Sequence, residues 1–125
     1  MDDDEAVNGY LQWDGALRLR ALGPLWPGWY NVERDDGLDP EARTFDQTVA
    51  AQLGASIEGP AADMLGLAAA IEARGVFAAR RCAAHYDRAR DRVLLWSPRN
   101  SAVLASVTPA AADALAAAIR RELGA

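Results

Sequence analysis

Residues 76–107 read VFAARRCAAHYDRARDRVLLWSPRNSAVLASV, and their pattern decides the fold class. Val76, Ala78, Cys82, Ala84 and Tyr86 alternate with Phe77, Arg81 and His85, which predicts one strand from Val76 to Tyr86. Asp87-Arg88-Ala89-Arg90-Asp91 is a polar turn, Arg92 to Trp96 an apolar strand, Ser97-Pro98-Arg99-Asn100 a second turn, and Ala102 to Val107 a returning strand. Three strands joined by tight polar turns make an antiparallel meander.

Helical signals flank the meander. Downstream, Thr108 is placed to cap a helix and Pro109 suits its first turn. Ala112, Leu115, Ile119 and Leu123 then fall on one face, with Arg120 and Arg121 near the carbonyl end and Gly124 behind them. Upstream, a helix starts near Pro60 and stops at Gly75, with Met64, Leu67, Ala68 and Ile71 on its face and Arg74 at its end. Another begins at Asp39 and Pro40 and ends at Gly54, with Phe45, Val49 and Leu53 aligned.

The first third reads as strands. Tyr10 to Trp13, Asp14-Gly15 and Ala16 to Arg20 carry the signature of a β-hairpin, because Asp-Gly favours the positive φ angles of a two-residue type I′ turn. A Pro/Gly loop from Gly23 to Gly28 leads into a short strand, Trp29 to Arg34. Residues 1–8 form an acidic lead without periodicity, expected to fray, and residues 9–125 make one domain. Strands come in runs and helices are grouped. The expected class is therefore α+β: a mainly antiparallel sheet, N-terminal hairpin plus C-terminal three-stranded meander, packed against about three helices. The order argues against alternating βαβ units and their nucleotide crevice.

Composition narrows the function classes. Hydrophobic residues at 51% and charged residues at 25% are ordinary for a globular domain. No apolar run approaches the roughly 18–20 residues of a membrane span, so no membrane association is expected. The start, Met1-Asp2-Asp3-Asp4-Glu5, is acidic where a secretory signal would be basic, and one cysteine forms no internal disulfide. The cytoplasm is the expected compartment. All thirteen basic residues are arginine and alanine is over-used, the mark of a GC-rich genome. The missing lysine removes Schiff-base chemistry and the phosphate-binding loop that needs it.

The chain has one His and one Cys, three residues apart, and a hydrolytic triad would have to use His85 as its base. On one strand that offset sets Cys82 and His85 on opposite faces, so they do not pair. Neither cofactor nor metal is expected, and the acidic run Asp35-Asp36-Gly37-Leu38-Asp39-Pro40-Glu41 lacks calcium-loop spacing. Helix capping and solvation account for it, with weak divalent-ion binding as the alternative.

Two groups of residues remain. Trp26, Trp29 and Tyr30 sit among Pro and Gly, where stiff aromatics suit a binding hot spot; the competing reading is that they fill a core short of volume. Asp35 and Asp36 follow them as acidic partners of such a surface. Arg80, Arg81, Arg88, Arg90, Arg92 and Arg99 crowd the meander and could meet an anion, although Asp87 and Asp91 stand beside two of them. Residues 1–66 hold thirteen acids and four arginines, residues 67–125 five acids and nine arginines, so the halves can neutralise each other.

With a net charge of −5 and no catalytic set, the expected function is a non-enzymatic protein-binding module. It would be a small acidic inhibitor, immunity protein or antitoxin-like factor that blocks a partner with a basic surface. The alternatives are binding of a small anionic ligand or nucleic acid through the arginines, the nucleic acid disfavoured by a pI near 4.7, and a self-associating structural subunit.

Overall fold

A computed structural model describes residues 12–24, 26–35, 56–99 and 102–124. Its strands are β1 (Gln12–Trp13), β2 (Leu17–Ala21), β3 (Trp29–Arg34), β4 (Ser56–Pro60), β5 (Val76–Ala78), β6 (Ala83–Asp87), β7 (Arg92–Ser97) and β8 (Ala102–Val107). Its helices are α1 (Ala61–Ala73) and α2 (Pro109–Leu123). The α+β class holds, with two helices among the described residues. The helix expected from Asp39 to Gly54, the acidic lead and Asp36 lie outside them.

The strands form two sheets, where one mainly antiparallel sheet was expected. The first has five strands in the order β1-β8-β7-β6-β5, and the second three in the order β2-β3-β4. The second is antiparallel; the first is mixed, because β1 runs parallel to β8 with Gln12 beside Ser106 and Trp13 beside Val107.

The N-terminal hairpin does not form. Gly15 is absent from the glycines with positive φ, so the turn chemistry that favours a type I′ hairpin is not used. Gly15 serves another purpose: a Cβ there would come within 2.7 Å of the Trp13 ring, which folds over it. The Trp13 indole N–H donates to the Ala16 carbonyl at 2.8 Å. Arg92 then holds β1 on β8. Its Nη2 donates to the Trp13 carbonyl at 3.3 Å, to Asp14 at 3.0 Å and to the Ser106 carbonyl at 2.7 Å. Freed from β1, β2 pairs with β3.

The meander has four strands rather than three. The chain breaks between Ala78 and Ala83, where the Ala79 N–H donates to the Cys82 carbonyl at 2.8 Å and Arg80 and Arg81 form the tip of a β5–β6 hairpin. At the other end, Asp87 Oδ1 accepts from the backbone N–H of Ala89 and Arg90, and Asp91 closes the turn at φ 53°.

The helices behave as their sequences dictate. Met64, Leu67, Ala68 and Ile71 of α1 and Ala112, Leu115 and Ile119 of α2 are buried. Thr108 Oγ1 accepts from the Ala111 N–H at 3.1 Å, and Gly124 takes the left-handed conformation that ends α2. Ion pairs Arg120–Glu72 at 2.7 Å and Arg74–Asp113 at 2.8 Å clip the helices together. Val32 and Ile57 from the second sheet meet Val93, Leu95, Leu104 and Val107 from the first in one core with both helices. No helix among the described residues is long and apolar enough to cross a membrane.

Candidate functional site

The loop between β2 and β3 is tightly tied. Gly23 and Gly28 take φ of 82° and 79°, which residues with a Cβ rarely adopt, and prolines 24 and 27 fix their own φ. The Leu22 N–H donates to the Trp29 carbonyl, the Trp26 N–H to Gly23 and the Trp29 N–H to Trp26, all at 3.0–3.1 Å. Pro60 gives α1 no side-chain cap; the first N–H of the helix, that of Ala61, instead donates to the Gly28 carbonyl at 3.2 Å. The loop is thereby fastened to a strand and to a helix end.

This scaffold presents Trp26, which is 58% exposed. Its ring meets Trp29 edge-to-face, centroids 6.3 Å apart and planes at 62°. Trp29 is half-buried beside Pro60, and the Arg81 guanidinium stands 5.6 Å from the centre of its ring. Arg81 also donates to Glu58 at 2.8 Å. The hairpin tip of the first sheet and the aromatic loop of the second thus meet on one surface: Trp26, Trp29, Arg81 and Glu58. Sequence separation hid this meeting, and Glu58 was not singled out.

Other expected residues go elsewhere. Tyr30 points to the opposite face of β3 and packs against the core. Asp35 lies six residues beyond Trp29, about 20 Å along an extended chain, and its N–H donates to the Ala16 carbonyl. The arginines divide between two ends of the first sheet. Arg80, Arg81 and Arg99 lie in the turns at one end, and Arg88, Arg90 and Arg92 at or beside the turn at the other. Three are committed: Arg81 to Glu58, Arg90 to Asp87 and Arg92 to Asp14. The pairs of Arg81 and Arg92 join the basic half of the chain to the acidic half.

The outer face of the second sheet carries a polar cluster that sequence reasoning missed. Glu33 accepts from Arg18 Nε at 3.0 Å, Arg20 Nε at 3.3 Å and Asn31 Nδ2 at 3.0 Å. Burial pushes the Glu33 carboxyl up, but the hydrogen bonds and charges of Arg18 and Arg20 outweigh it and hold the group below its ordinary value. Asn31 is 6% exposed, and its Oδ1 has no hydrogen-bond partner. The signal was present as two alternations, Arg18-x-Arg20 against Asn31-x-Glu33, but it needed the β2–β3 register to be read.

Cys82 is fully buried while His85 is exposed. Burial, aided by the Asp63 charge, pushes the thiol up to about 12, so it is neither thiolate nor nucleophile near neutrality. No protein-family model, curated protein or solved structure matches the chain. The surface itself therefore carries the functional reading. Indole faces, a guanidinium and a carboxylate lie side by side on it.

Proposed function

We propose that the protein acts without catalysis, as an acidic inhibitor, immunity or antitoxin-like factor that binds a partner protein through the Trp26–Trp29–Arg81 surface. The observation that carries this reading is the 58% exposure of Trp26 on a loop pinned at both ends. A large indole displayed on stiff backbone buries much area on binding and loses little freedom. Trp and Arg are the side chains that dominate such contacts, and Glu58 supplies a polar rim. The net charge of −5 supports a basic target through steering at long range. The cytoplasm suits a chain whose single thiol is buried. The anion-binding alternative is less favoured because Arg81, Arg90 and Arg92 already hold carboxylates.

The test is affinity capture from the native host with the full chain as bait, beside Trp26→Ala as a matched control. One dominant basic protein retained by the first and lost from the second, then confirmed by calorimetry with purified partners, supports the reading. Equal recovery by both baits, or turnover of a small molecule by the purified chain, overturns it.

A further inference from the structure

Consecutive residues of the β5–β6 tip grip β4 from both sides. Glu58 and Gly59 follow each other on β4 and so face opposite ways. Gly59 looks inward with Tyr30, and a Cβ there would stand 3.4 Å from the Sγ of fully buried Cys82. Glu58 looks outward, opposite Asn31, and accepts from the Arg81 guanidinium at 2.8 Å. β4 is terminal in its sheet, and the tip straddles its open edge.

The same guanidinium stands against an indole. Trp29 lies opposite Pro60 and Asn31 opposite Glu58, which makes Trp29 and Glu58 diagonal neighbours on one face, about 7–8 Å apart. Arg81 spans that diagonal: bonded to the carboxylate, it stands 5.6 Å from the centre of the Trp29 ring. The stem of Arg81 is already fixed by buried Cys82, so holding its head costs less freedom than an ordinary exposed pair does. Trp29 in turn meets Trp26 edge-to-face, centroids 6.3 Å apart.

We propose that Glu58 is a positioning residue of the recognition surface. Acting through Arg81 and Trp29, it fixes the ring against which Trp26 is displayed. The inference deepens the reading of Trp26 as the partner-binding residue and rests on it. Side-chain exposures of 41% for Glu58 and 30% for Arg81 leave the pair open to counter-ions. Order at Trp26 therefore falls as ionic strength rises, and the surface is best formed in dilute salt. A guanidinium shared between carboxylate and indole thus makes the stiffness of this surface adjustable.

The test uses the full chain alone, isotope-labelled for NMR, and reads the order parameter of each indole N–H. In Glu58→Gln, which removes the charge and keeps the shape, the Trp26 value should fall by at least about 0.1, on a scale where rigid backbone stands near 0.85. Arg81→Ala should give a similar fall. Salt at about 1 M, where the Debye length is about 3 Å, should lower the Trp26 value in the native chain and move it no further in Glu58→Gln. A merely structural role for Glu58 would not remove that salt response. The Trp13 indole, whose N–H donates to the Ala16 carbonyl, should stay unchanged in both variants, and thermal melts verify that each is folded. An unmoved Trp26 value in Glu58→Gln, or the same salt response with and without the carboxylate, overturns the proposal. No partner enters these measurements, so a failed capture strikes the binding reading and an unmoved Trp26 strikes the role of Glu58.

Discussion

The Phe77 ring lies against the backbone of Gly66, so closely that a Cβ on Gly66 would come within 2.3 Å of its Cε1. Glycine inside a helix costs about 1 kcal/mol relative to alanine, and α1 tolerates it because β5 must pass directly over this point. Gly66→Ala should therefore destabilise the protein by about 1–2 kcal/mol, against the gain an open helix site would show. Urea unfolding of Gly66→Ala, Phe77→Leu and the double variant checks it. The double variant should lose less than the two single losses combined.

Glu33 ties stability to pH. Its folded carboxyl sits below the ordinary value of 4.5, so between the two values the unfolded chain binds the extra proton and stability rises with pH. The contribution is complete above about pH 4.5 and is lost as pH falls through the lowered value. Glu33→Gln should flatten this acid limb. At neutral pH it should cost about 2–3 kcal/mol, because Arg18 and Arg20 then face each other without their shared carboxylate. Guanidinium titrations from pH 3 to 7 measure both effects.

Trp26 should dominate the quenchable fluorescence. Of the four tryptophans it is the one with an exposed ring. Trp26→Phe should remove most of the emission that acrylamide quenches and change stability by less than about 0.5 kcal/mol. Trp29→Ala should cost more, since it strips the ring that Trp26 and Arg81 both meet. Unchanged quenching in Trp26→Phe would contradict the surface described above.

Cys82 should be inert in the folded state. With its thiol pushed up to about 12 and its surface enclosed, it should not react with a disulfide reagent at pH 8 until the chain unfolds. The rate of labelling then reports the opening of the core where Gly59 approaches the sulfur.

How much of this was legible depended on the distance over which each signal acts. The two described helices were readable because caps and apolar spacing are local: Thr108, Pro109 and Gly124 mark α2 almost to the residue. The short strand expected from Trp29 to Arg34 forms over those residues. The Asp14-Gly15 pair misled because its local preference for a hairpin was overridden by Arg92, seventy-eight residues from Asp14. The β5–β6 break escaped because the run Ala78-Ala79-Arg80-Arg81-Cys82 carries no Gly, Pro, Asn or Asp, and the alternation continues across the turn. The aromatic loop was visible in sequence, but its union with Arg81 arises from packing one sheet against another.

The parallel seating of β1 on β8 has a kinetic meaning. Gln12 and Trp13 cannot find their places until Ser106 and Val107 have been made. At about 5–20 residues per second, a ribosome takes roughly 5–20 s to bridge that interval. For that time β1 is a newborn segment without a seat.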